Sequence, residues 1–212
     1  EYMPFRVESS IVCADSSYEL CGCSISISRS GELYTFGASV NGANGYKEKI
    51  FPPKIIPSLK DISSVKCGSE HTICLDVFGN IFTFGSNRFG QLGIGIDKET
   101  LPQTCNPQKV DLPPIKQISC GSRFNVCVSE DHEVFSFGEN VQSFYSPQKL
   151  SSLNDVHFVE CGYYYAICKT LDNCIYVWGF NNFAQLGIEI LAQKKNLLNV
   201  VIGQIILLIL NV

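Results

Sequence analysis

Positive charge is scarce in this chain of 212 residues. Lys and Arg number 16 against 20 Asp and Glu, which gives a net charge of −4 and a pI near 5.4. No basic run is longer than Lys194-Lys195. A general nucleic-acid binder carries a basic face or tail, so direct nucleic-acid contact is not expected. Charged residues make up only 17% and hydrophobic ones 45%, which excludes wholesale disorder and supplies a core. There is one methionine, Met3, and the chain opens at Glu1, which suggests a fragment or an incomplete gene model. No Asn-x-Ser/Thr acceptor occurs and the first residues show no leader pattern. The eleven cysteines, an odd number, therefore point to a reducing compartment rather than to a disulfide framework. No helical period is found before residue 188.

Three landmarks recur instead. An aromatic-Gly pair stands at Phe36-Gly37, Phe84-Gly85, Phe137-Gly138 and Trp178-Gly179, with the glycines 48, 53 and 41 residues apart. Cys67-Gly68, Cys120-Gly121 and Cys161-Gly162 each begin 18 residues before the matching glycine. A second cysteine follows each first one by seven residues, at Cys74, Cys127 and Cys168. Upstream lie Pro52-Pro53-Lys54-Ile55, Pro107-Gln108-Lys109-Val110 and Pro147-Gln148-Lys149-Leu150. One order and one fixed spacing define an internal repeat. Inside it the period is two, as in Ile81-Phe82-Thr83-Phe84 and Val134-Phe135-Ser136-Phe137, and turn residues separate such runs. Each unit reads as a small antiparallel sheet that cannot bury both faces alone. Radial stacking of sheets solves that problem, which is the logic of a β-propeller.

The second unit carries Cys67-Gly68-Ser69-Glu70-His71-Thr72 and then Gly79 to Gly93, ending Gly90-Gln91-Leu92-Gly93. This resembles the regulator-of-chromosome-condensation repeat. The fourth unit repeats the pattern as Trp178-Gly179 through Gln185-Leu186-Gly187. The first keeps only the glycine frame Gly37, Gly42 and Gly45, and the third loses the Gln-Leu-Gly part, with Phe144 and Tyr145 in a shortened loop. The resemblance spans about Ile11 to Gly187. It implies an all-β chain, an incomplete propeller of about four blades where the family's typical propeller has seven. Residues 1–187 form the repeat domain and 188–212 an apolar tail.

Several residue types invite a chemical reading. Zinc sites favour Cys-x2–4-Cys, whereas the spacing here is seven and stays in register with the strands. The repeated cysteines are therefore expected in the core, with no metal and no cofactor. His71 matches Phe124 and Tyr165 in the next units, so it is expected to close a turn or bond the backbone rather than act in catalysis. A His71–Cys74 nucleophile pair lacks an orienting third group. Gly90 to Gly95 lacks the Lys-Ser/Thr ending of a phosphate loop, and its glycines fit turns of positive φ.

The resemblance implies a non-catalytic protein-interaction module. The alternative it implies is a guanine-nucleotide exchange factor for a Ran-type small GTPase, which would make a small GTPase the partner. The wedge-like insertion and acidic loop of exchange factors are not identified here, nor is the basic tail used on chromatin. The longest and most polar connection, Ile94 to Asn106, is expected to join the second and third units and carries Asp97, Lys98, Glu99 and Thr100. A protein partner is expected to bind there, because long loops on rigid scaffolds are where partners bind. The tail Asn196 to Val212 has no charge. It reads as a strand of an unfinished blade, as a membrane anchor through residues 196–212, or as a spurious gene end. Location is expected to be cytoplasmic or nuclear, with a tail-anchored membrane protein as the alternative.

Overall fold

The computed structural model describes residues 11–15, 22–39, 41–139, 143–187, 194–200 and 208–210. All the regular structure among them is β, in four antiparallel sheets that follow one another along the chain. The first sheet contains β1 (Ile11–Asp15), β2 (Gly22–Ile27), β3 (Leu33–Ala38) and β4 (Ile50–Ile55). The second contains β5 (Ile62–Cys67), β6 (His71–Asp76), β7 (Ile81–Ser86) and β8 (Gln103–Val110). The third contains β9 (Ile115–Cys120), β10 (Phe124–Ser129), β11 (Val134–Glu139) and β12 (Ser143–Lys149). The fourth contains β13 (Val156–Cys161), β14 (Tyr165–Thr170), β15 (Ile175–Gly179), β16 (Lys194–Val200) and β17 (Leu208–Leu210). Each sheet is a meander, with neighbours in sequence paired in space. The first strand of one sheet packs on the first two of the sheet before: β5 on β1 and β2, β9 on β5 and β6, β13 on β9 and β10. This places the Cys-Gly strands at the inside of an arc of four propeller blades.

The sequence landmarks explain the packing. In the second, third and fourth sheets the second cysteine and the aromatic of the aromatic-Gly pair pack with the preceding sheet. Cys74 and Phe84 pack with Ile25 and Leu33, Cys127 and Phe137 with Ile73 and Ile81, and Cys168 and Trp178 with Val126 and Val134. Phe84, Phe137, Cys74, Cys127 and Cys168 are fully buried. Burying an aromatic of this size contributes about 2 kcal/mol. The first cysteines, Cys67, Cys120 and Cys161, are only half-buried, contrary to the expectation that all six lie in the core. They end the inner strands at the margin of the core clusters, and Cys120 Sγ lies 3.6 Å from His71 Nε2.

Repeat and sheet are offset. The Pro-Lys landmarks stand upstream of each Cys-Gly in sequence, yet they lie in β4, β8 and β12, the outermost strands of the preceding sheets. Proline has no N–H to offer a further strand, which blunts an exposed edge. The pairing of β4, β8 and β12 with the strand inside each shifts register opposite Phe36, Phe84 and Phe137. The offset also corrects the expected partner loop. It does not join two blades but lies inside the second sheet, between β7 and β8, and residues 103–106 already belong to β8.

At the far end, β16 pairs with β15 and β17 with β16. The rest of 188–212 lies outside the described residues, and so does most of the stretch on which the strand and anchor alternatives rest. Among the described residues no helix is long and apolar enough to cross a membrane.

Candidate functional site

At the top end of the sheets, polar groups tie blade to blade. Thr72, the second residue of β6, donates its hydroxyl to the Ala43 carbonyl at 2.7 Å. Asn125, the second residue of β10, donates Nδ2 to the Gln91 carbonyl at 2.8 Å. Ala43 and Gln91 hold the same place in the Gly-x-x-Gly turns of successive sheets, so this bond repeats. In the fourth sheet the position is Ala166, which has no side-chain donor, and the third unit carries no Gly-x-x-Gly sequence after Gly138. The two departures match.

His71 does not close a turn or bond the backbone through its side chain. Its Nε2 lies 3.0 Å from Asn125 Oδ1 in the third sheet, and it is fully buried. Because Asn125 Nδ2 is committed to Gln91, its oxygen faces His71, and Nε2 must carry the proton. Burial disfavours the imidazolium and lowers the pKa from 6.5 to about 4, against the opposing pull of Asn125. A neutral, enclosed imidazole of this kind is a packing group. The ring lies against Gly68, where a Cβ would stand 2.2 Å from His71 Cε1. Gly121 and Gly162 meet the rings of Phe124 and Tyr165 in the same way, at 2.0 and 2.1 Å. The Cys-Gly landmark is therefore a slot for the bulky residue three places on.

The second cysteines of the repeats show no sign of activation. Burial pushes Cys74 and Cys127 far up and Cys168 up to about 12. A nucleophilic or metal-binding cysteine needs the opposite shift. Among the described residues no group of three His, Cys, Asp or Glu side chains is placed to hold a metal ion.

Asp97, Lys98, Glu99 and Thr100 are all exposed on the connection between β7 and β8. Asp97 Oδ1 accepts the Thr100 N–H at 2.9 Å, and these bonds hold its carboxyl below the usual range. Lys98 and Glu99 approach to 3.9 Å, an exposed pair of little energetic weight. The loop is anchored at its base by buried Asn87, which sequence reasoning missed. Asn87 Nδ2 donates to the carbonyls of Ile96 and Leu101 at 2.7 and 3.1 Å. Its Oδ1 accepts the Leu92 N–H at 3.3 Å. In the fourth unit's copy of this turn Asn181 Oδ1 likewise accepts the Leu186 N–H at 2.9 Å. There Phe183 is 87% exposed, whereas its counterpart Phe89 lies under Arg123 of the next sheet, 4.0 Å from ring centroid to guanidinium carbon.

Comparison with known proteins agrees with this geometry. Two models described as the regulator of chromosome condensation (RCC1) repeat match the chain, one at residues 30–75 and 79–128, the other at 62–91 and 115–143. The mouse serine/threonine-protein kinase Nek9 is 28% identical over 181 residues, 74% of this chain and 18% of that protein. The human E3 ubiquitin-protein ligase HERC2 is 27% identical over 183 residues, 77% of this chain and 4% of that protein. The chain thus spans a small part of both. The solved structure of Prp20p from Saccharomyces cerevisiae, described with its binding to Gsp1p and histones, superposes with a TM-score of 0.72 at 18% identity. That match covers 88% of this chain and 49% of the yeast one. With four sheets of the expected order and repeat models running from residue 30 to 143, the chain belongs to the regulator of chromosome condensation (RCC1) repeat family.

Proposed function

We propose that this chain is a non-catalytic protein-interaction part of a propeller. One observation carries this. A protein kinase and a ubiquitin ligase each match about three quarters of the chain, which spans only 18% and 4% of them. What the three have in common is neither phosphoryl transfer nor ubiquitin transfer. The buried, neutral state of His71 and of the second cysteines supports the same view, because these groups are spent on packing. The partner is a protein, contacted in part by Asp97, Lys98, Glu99 and Thr100 on a loop held by the rigid turn at Asn87. A cytoplasmic or nuclear setting goes with this role.

Prp20p, described as binding Gsp1p and histones, favours a second reading, nucleotide exchange on a Ran-type small GTPase. Nucleotide-release assays with a panel of small GTPases decide between the two. We expect no acceleration by this chain, and acceleration of any one GTPase would establish the second reading. A photo-crosslinking residue in place of Glu99 is expected to join the chain to a discrete protein that the same group at Lys60, on the opposite end, does not reach. Equal labelling from both positions would remove the loop from the interface.

A further inference from the structure

The chain has nine prolines, and one alone follows a hydroxyl residue: Pro147, after Ser146. This serine opens the third copy of the Pro-Lys landmark, Ser146-Pro147-Gln148-Lys149, where the other copies carry Phe51 and Asn106. All three copies lie in outermost strands, β4, β8 and β12. The proline and lysine are thus common to the blades and structural, whereas the hydroxyl is peculiar to one. The ladder between β11 and β12 joins Gly138 to Phe144 and Ser136 to Gln148, so Tyr145, Ser146 and Pro147 together face Phe137. Three residues against one form a bulge, which lifts the segment out of the ladder at the rim of the sheet. Ser146 is exposed there, and the third sheet has a neighbour on either side, so this exposure belongs to the rim of the fold. Gln148 Nε2 donates to the Ser146 carbonyl at 3.2 Å, while the Ser146 hydroxyl has no hydrogen-bond partner among the described residues.

A proline-directed serine/threonine protein kinase reads this combination. Such an enzyme takes its acceptor on an extended segment and encloses the next residue where no hydrogen-bond acceptor is offered. Proline suits that place because it has no N–H and a fixed φ, whereas any other residue would bury an unpaired donor. A basic residue three places after the acceptor meets acidic side chains of the enzyme. Lys149 supplies that charge. It bonds Glu133 of β11 in an exposed ion pair, weak enough to be exchanged. Ser146 also lies against the connection of the second sheet. Its Oγ is 3.3 Å from where a Cβ on Gly95 would stand, and the Gly95 N–H donates to the Tyr145 carbonyl at 2.7 Å. A phosphoryl group on Ser146 would therefore set about two negative charges beside the stretch that carries Asp97 and Glu99.

We propose that Ser146 is a phosphorylation site for a proline-directed protein kinase. In the transfer, Ser146 Oγ attacks the γ-phosphorus of Mg·ATP, the bond from that phosphorus to the β,γ-bridging oxygen breaks, ADP leaves, and the hydroxyl proton passes to the catalytic aspartate of the kinase. The site stands apart from the interaction-module reading, and only its bearing on the Asp97–Thr100 loop rests on that reading. The test incubates the folded chain with Mg·ATP and a cyclin-dependent protein kinase, then locates phosphate by mass spectrometry of the digested chain. One phosphoryl group is expected, on Ser146, and none on Ser146→Ala. Lys149→Ala should slow the initial rate by about fivefold, the loss expected of one charge contact with the enzyme. A peptide of residues 143–152 serves as the unfolded comparison, and the folded chain should react within about tenfold of it, because the bulged rim already presents the acceptor. Phosphorylation of the peptide but not of the folded chain, phosphate at another residue with Ser146 unmodified, or no transfer to either would each overturn the proposal. The comparison of peptide and unmodified chain stands even if a variant fails to fold. A loop that binds no partner would remove the interaction surface yet leave the phosphorylation result unchanged, so the two failures are told apart.

Discussion

His71 of the second sheet and Asn125 of the third are joined side chain to side chain at 3.0 Å, inside a fully buried contact. Burial, not this bond, keeps the imidazole neutral, since Nε2–H donates in either protonation state. Since the folded pKa lies near 4 and the unfolded one near 6.5, unfolding takes up a proton between these values. The stabilisation is complete above pH 6.5 and is lost as pH falls toward 4. It amounts to roughly 3 kcal/mol over that window. Urea unfolding at a series of pH values should show this slope, and His71→Phe, which copies Phe124, should flatten it. An unchanged slope in the variant would assign the acid sensitivity elsewhere.

Gly85 has φ +112°, and a Cβ there would stand 2.4 Å from the Glu70 carbonyl oxygen. Gly22 has nothing within 4 Å of an added Cβ. Gly85→Ala should therefore cost about 2–4 kcal/mol, from backbone strain and a clash that no side chain can relieve, while Gly22→Ala should be nearly neutral. Thermal or urea midpoints of the two variants check this directly.

The cysteines should separate by reactivity. Cys74, Cys127 and Cys168 are enclosed and held as neutral thiols, so alkylation of the folded chain should leave them unmodified until it unfolds. Cys105, part-exposed on β8, should react well before them. Cys174 should lag behind it, because its thiol donates to Asp172 Oδ2 at 3.4 Å and is held up by that carboxylate. Mass spectrometry of timed samples gives the order.

The loop and its anchor should differ in cost. Replacing Asp97 to Thr100 by Gly-Ser-Gly-Ser removes only exposed side chains and should change stability by less than about 1 kcal/mol. Asn87→Ala leaves the Ile96 and Leu101 carbonyls and the Leu92 N–H without their partner, and should cost about 2–3 kcal/mol. A large loss from the loop replacement would make the loop structural rather than a contact surface.

Much of the architecture was legible from residue order. The aromatic-Gly and Cys-Gly landmarks placed β7, β11 and β15, and β5, β9 and β13, because alternating burial imposes a period of two that any local window reveals. The contact surface was less legible. Asp97 to Thr100 stood out by polarity, but Asn87, which anchors them, looks in sequence like any turn asparagine.

Residue order alone determined that this chain is built of repeated antiparallel strands, since a period of two depends on near neighbours. The tertiary structure decided the rest. The Pro-Lys strands join the preceding sheet, so the connection carrying Asp97 lies within a blade. The inner cysteines at Cys67, Cys120 and Cys161 stay half-buried while their partners seven residues on are sealed. His71 reaches a side chain 54 residues away. Each depends on which sheet lies against which, and pairing between distant segments leaves no local pattern in the chain.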